Sequence, residues 1–259
     1  MKHRPIVMNK IVVAILFLFS LVKVNAADPG IEFSKGNELY QKGKHEEAAK
    51  IFEAILLSGN ESEEVYYNLG NAYFKQNKLP QAILNYERAL RLAPGNDDIR
   101  FNIRITNSRI VDKIEPMPEI FYVRWAKGLK ALFSSDGWGR ASILLLLMAI
   151  AAGIFYLLSD GLGGLQKLGL YFSILALAGC LVSLAFGYNE FQQLKEAKAA
   201  IVFVPTLNVK SSPSENGTNI FVVHEGTKIE LEDRVGNWVK IRLADGNLGW
   251  VPEVDVVVI

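Results

Sequence analysis

The feature that most limits what this chain can become is a pair of stretches, 141–158 and 168–187, that contain no Asp, Glu, Lys or Arg. At about 1.5 Å per helical residue they cover roughly 27 and 30 Å, close to the hydrocarbon thickness of a bilayer. Each is long enough to cross a membrane. The connector, 159–167, is short and carries Gly161, Gly163 and Gly164, so the two runs read as a membrane hairpin whose ends emerge on one side. These glycines lack the strand-to-helix setting of a phosphate loop, and flexibility explains them better. A buried helical pair of a soluble protein is the alternative, disfavoured because such cores seldom lack charge on every face.

A third apolar stretch has a different meaning. Lys2, His3, Arg4 and Lys10 precede Ile11–Val22, and Val24, Asn25 and Ala26 come next as a cleavage site. This pattern predicts a signal peptide over 1–26 and export of the chain beyond it. The expected location is the inner (cytoplasmic) membrane of a bacterium, with both soluble parts on the periplasmic side. An uncleaved anchor gives the same outcome. Arg124, Lys127, Lys130 and Arg140 before the hairpin, with Lys195 and Lys198 after it, outnumber Lys167 in the connector and by charge alone favour the reverse orientation. The signal sequence takes precedence because the first segment usually sets orientation.

The formal charge of +1 gives no basic field for nucleic acid. Cys180 lies inside the second run with no disulfide partner in the chain, and packing is its expected role. His3, His45 and His224 are too scattered to form one metal cluster by spacing. No GxSxG, HExxH, Walker glycine loop or CxxC pair occurs, so no catalytic residue, cofactor or metal is expected.

Between the signal peptide and the hairpin a repeat is legible. Gly36 and Asn37 recur as Gly70 and Asn71, a shift of 34 residues that also carries Ala48 to Ala82 and Phe52 to Tyr86. In the second copy Tyr66, Leu69, Gly70, Tyr73, Ala82, Tyr86, Ala89, Leu90 and Pro94 fall at the spacing of the tetratricopeptide signature, which this segment resembles. Gly70 and Ala82 are small where two antiparallel helices cross, and Pro94 stops the second helix. The first copy is weaker, with Glu32 and Lys35 at positions usually apolar. Asp97 and Asp98 are read as the cap of a further helix, about Ile99–Ile110, the start of an unfinished repeat. The array is expected over 31–111. Two repeats and a helix are fewer than such arrays usually need, so the missing core must come from that helix, the membrane or another protein.

First-helix side chains line the concave face of such arrays: here Phe33, Asn37, Tyr40, Tyr67, Asn71, Phe74, Phe101 and Ile105. Aromatics interleaved with amides suit an extended peptide or a partner helix. The alternative for any of these rings is packing between repeats. Some repeats of this family grip a terminal carboxylate; Asn37 and Asn68 resemble the amide half of that clamp, but Phe33, Asp98 and Asn102 stand where its basic residues would be, which disfavours such capture.

Pro116 and Pro118 mark a linker, within a segment assigned to 112–140. There Phe121, Tyr122, Trp125, Leu129, Leu132 and Phe133 recur at helical spacing beside Arg124, Lys127 and Lys130. A helix in the headgroup layer is expected, with Phe121, Tyr122, Trp125, Lys127 and Lys130 at the membrane interface. A helix facing the core of the repeat domain is the alternative. After the second run, 188–200 reads as a helical stalk.

From 201 to 259 the pattern becomes short β-branched runs separated by turns, with alternation in Lys228–Leu231 and Trp238–Leu243 and a hairpin signal at Asp245-Gly246. Order and spacing resemble the bacterial SH3-like family, a small β-barrel. That resemblance implies binding to cell-wall or protein ligands. Trp238 and Trp250 are the ligand candidates, although core packing is the expected role of both rings.

The fold class is thus multidomain: an all-α tetratricopeptide array, two transmembrane helices and a small all-β SH3-like barrel. This order resembles the BatE family of the Bacteroides aerotolerance operon, which implies von Willebrand-type membrane partners and a MoxR-type ATPase in its surroundings. The expected function is a non-enzymatic inner-membrane scaffold contacting the lipid bilayer and the proteins of an envelope complex. The alternative is a membrane protein that binds peptidoglycan through the barrel.

Overall fold

The computed structural model describes residues 30–118, 120–159, 163–195 and 199–259; the expected signal peptide lies outside them. Among the described residues five helices come first: α1 (Ile31–Gln41), α2 (His45–Leu57), α3 (Glu63–Lys75), α4 (Leu79–Leu92) and α5 (Asp97–Asn107). They pack as consecutive antiparallel neighbours. A Cβ built on Gly36 would lie 2.7 Å from the Phe52 ring, and one on Gly70 would lie 2.6 Å from the Tyr86 ring. Only a residue without a side chain permits either crossing. Ile99 and Ile103 of α5 close the second repeat against Tyr66, Ala82, Tyr86 and Ala89.

The cap of α5 differs from expectation. Asn96, not an aspartate, is the N-cap, its side chain accepting from the amides of Asp98 and Ile99 at 3.0 and 3.3 Å. Asp97 and Asp98 occupy the first turn, where their charge complements the helix dipole.

After α6 (Phe121–Lys130) come the two long helices, α7 (Ser135–Leu158) and α8 (Gly164–Lys195). Both are long and apolar enough to cross a membrane, and only 11% and 17% of their most apolar windows is buried. A soluble core helix would be covered on most sides. They pack on each other through small residues of α8 at alternating steps of four and three, Gly169, Ser173, Ala176, Cys180, Ser183 and Gly187. The Ser173 hydroxyl donates to the Ala149 carbonyl at 2.8 Å, and Cys180 is buried. Instead of ending before a separate stalk, α8 runs on to Lys195.

The last 61 described residues form one antiparallel sheet: β1 (Ala199–Val202), β2 (Thr206–Lys210), β3 (Asn219–His224), β4 (Lys228–Val235), β5 (Trp238–Arg242), β6 (Leu248–Pro252) and β7 (Val256–Val258), in spatial order β3-β2-β6-β5-β4-β1-β7. Alternate residues, among them Val209, Ile229, Val239, Ile241 and Val251, fill its core.

This barrel is not free of the array. Ile83 and Leu84 of α4 are buried against Ile201 and Ile259, with Ile110 and Phe203 at the edge. Glu87, 9% exposed at its side chain, pairs with Lys228 at 2.6 Å, and Arg88 donates to the Val258 carbonyl at 2.9 Å. Docking uses the outer side of α4 and leaves the first-helix face uncovered. It also requires array and barrel to lie on the same side of any membrane that the hairpin crosses.

Candidate partner-binding surfaces

The first-helix face is ordered by an amide ladder that repeats with the array. Asn68 donates to the Asn37 side-chain oxygen at 2.9 Å, and 34 residues on Asn102 donates to that of Asn71 at 2.9 Å. Asn71 also accepts from the Tyr86 hydroxyl at 2.8 Å, and Asn102 donates to the Tyr67 hydroxyl at 3.1 Å. Burial, with some help from neighbouring tyrosines, pushes the Tyr86 hydroxyl well above its usual pKa, so it remains a donor. The 34-residue shifts of both asparagines are visible in the sequence, but their pairing across helices is not.

The eight expected groove residues separate into two groups. Phe33 packs its ring on Phe52, centroids 5.9 Å apart; Tyr40 lies against His45, and Tyr67 against Tyr86. Asn37 and Asn71 are ladder members. Those positions and Phe74 are half-buried. Phe101 and Ile105 of α5 are instead exposed, at 53% and 39%. Two guanidinium groups stand over this end, Arg104 on Phe101 at 5.8 Å and Arg109 on Phe74 at 4.5 Å. Neither arginine is marked in the sequence, because a stacked ring and guanidinium leave no periodic signal.

On the barrel, the expectation that both tryptophans pack in the core is corrected. Val239, Ile241 and Val251 point inward, and the period of two turns Trp238 and Trp250 to the outer side, where both are half-buried. Lys210 lies over the Trp238 ring at 5.3 Å. Glu215, Asn237, Trp238, Pro252, Glu253 and Val254 line an open surface cavity of about 480 Å³.

The segment that precedes the two long helices presents aromatics: Phe121 is 81% exposed and Trp125 69%, with Tyr122 also exposed. Lys130 turns the other way, pairing with Glu190 of α8 at 2.9 Å and donating to Asn189 at 2.8 Å. Trp138 stitches the same corner, its indole donating to the Lys130 carbonyl at 3.0 Å between the rings of Phe133 and Phe186. Lys127 lies on α6, its side chain outside the described part.

Residues 63–96 match the family model of the tetratricopeptide repeat, and residues 205–257 match that of the bacterial SH3 domain. The peroxisomal targeting signal receptor of Candida glabrata is 28% identical over 94 residues, 36% of this chain. The chain spans only 16% of the length of that curated relative. Geometry and comparisons together make this a chain that carries a tetratricopeptide repeat and a bacterial SH3 domain, modules of protein interaction, on either side of two long apolar helices.

Proposed function

We propose that this protein is a non-enzymatic scaffold of the bacterial inner membrane, holding array and barrel on the periplasmic side for the protein partners of an envelope complex. The observation that carries this reading is the exposed Phe101 and Ile105 beside Arg104 and Arg109, at the end of a face ordered by paired asparagines. Apolar area next to guanidinium groups suits a segment that mixes apolar and acidic side chains. The module order, resembling the BatE family, supports an aerotolerance or stress setting with other membrane proteins of that operon as partners. The α6 aromatics serve as the membrane interface.

A photo-reactive side chain at position 105 is expected to crosslink one membrane protein in intact cells, and Phe101→Ala to reduce that product several-fold while the melting curve is unchanged. No product, or one indifferent to Phe101, overturns the groove. Periplasm-dependent reporters should be active after Asn107 and at Ile259 and silent in the connector. The second reading, peptidoglycan binding, is favoured by the outward Trp238 beside Asn237, Glu215 and Glu253, since a ring edged by hydrogen-bonding groups suits a sugar. Retention of the detergent-solubilised chain on purified sacculi, lost in Trp238→Ala, would support it; absence of retention would eliminate it.

A further inference from the structure

Past a turn and bend at 108–111, residues 112–118 lie along the barrel as a strap. Ile110, Asp112 and Ile114 are half-buried and alternate with the exposed Val111, Lys113 and Glu115, a two-residue period. Every inward side chain meets the barrel. Ile110 lies on Gly226, whose φ of +86° and missing side chain leave room; a Cβ there would sit 2.7 Å from Ile110. Ile114 packs on the barrel core. Asp112 accepts from the His224 main-chain amide at 2.6 Å and from the Thr227 hydroxyl at 2.7 Å, and lies 2.8 Å from His224 Nδ1. Farther along, the Met117 amide donates to the Ala244 carbonyl at 3.0 Å.

Alternate side chains in fitted positions plus a main-chain bond are how folded domains read extended peptides. We infer that this surface, from the β3–β4 turn to the β5–β6 turn, is a peptide-recognition site filled in cis by residues 110–117, and that it accepts in trans an extended aliphatic-x-Asp-x-aliphatic segment of a partner protein. Thr227 is 3% exposed with the strap in place, and Asp112 is the acceptor for its hydroxyl and for the His224 amide. An incoming segment must therefore bring a carboxylate to the place of Asp112. Tethering gives the strap a high effective concentration, so partner binding requires that something first draw the strap away. The strap surface is separate from the groove on α5 and from the Trp238 face, so either can fail without the other.

The test uses the full chain in detergent micelles and a fluorescent peptide with the sequence of residues 108–118. The strap variant Asp112→Ala, Ile114→Ser leaves the barrel surface unaltered and is expected to bind this peptide at least tenfold more tightly than the parent chain. Adding Thr227→Val, or replacing the peptide's Asp by Ala, should abolish the gain. Equal binding by parent and strap variant, or no binding by the variant, overturns the site. Should the strap variant fail to fold, Thr227→Val alone is expected to speed tryptic cleavage after Lys113 several-fold, and an unchanged rate overturns the inference.

Discussion

A single methyl group at Gly70 would drive into the Tyr86 ring, which is 1% exposed and has nowhere to retreat. Gly70→Ala is expected to lower stability by about 1–3 kcal/mol, the usual cost of overpacking a filled core. Gly128→Ala is the control: nothing lies within 4 Å of its built Cβ, so helix propensity should raise stability by roughly 0.5–1 kcal/mol. Thermal unfolding in one detergent compares the two. At Asp112, burial pushes the carboxyl up, but the hydrogen bonds from His224 and Thr227 outweigh it and hold the pKa below the usual carboxylate value. A group depressed in the folded state contributes fully above its unfolded pKa, about 3.9, and loses that contribution as acid carries the pH down through the folded value. Asp112→Asn should therefore lower the urea midpoint near pH 7, and by less at an acid pH below the folded value of Asp112. A deficit of equal size at both pH values would refute the ionic account.

Among elements, the corner where α6 meets the hairpin depends on Trp138, whose ring lies 5.1 Å from Phe133 and 5.0 Å from Phe186 by centroid. Trp138→Ala removes both contacts and the bond to the Lys130 carbonyl; protease cleavage between α6 and α7 should quicken several-fold while α7 and α8 keep their helical signal. Elements with a strong period are legible from the residues alone: the repeat from Gly36 and Gly70, the long helices from the charge-free runs, the strands from the alternation around Val239. Ends are less so. The Ser134 side chain accepts from the Gly137 amide at 3.3 Å, so α7 begins at Ser135, ahead of the apolar run, because the cap and not the first apolar residue sets the start, and Asp136 in the first turn suits the helix dipole. Trp238 departs from expectation because a large ring suggests burial, whereas the register of its strand decides its side.

For the molecule as a whole, nothing periodic in the chain announces that the barrel completes the short array. An interface between distant segments has no repeat of its own; its one trace is Ile83-Leu84, an apolar pair on α4 outside the repeat signature. Ile83→Glu places a carboxylate in that contact and is expected to split one unfolding transition into two, with the barrel melting separately from the array. A single transition at a merely lower temperature would argue that the modules are coupled elsewhere. The first-helix face is legible in the sequence, but the arginines over it and the strap are not, since both arise from tertiary neighbours. The clasp between Ile83 and Ile201 has a consequence for synthesis. At 5–20 residues per second, the ribosome needs roughly ten seconds after making α4 to deliver β1. During that interval the newborn helices wait half-built, with an oily flank bare, and quality-control proteases would find them most easily then.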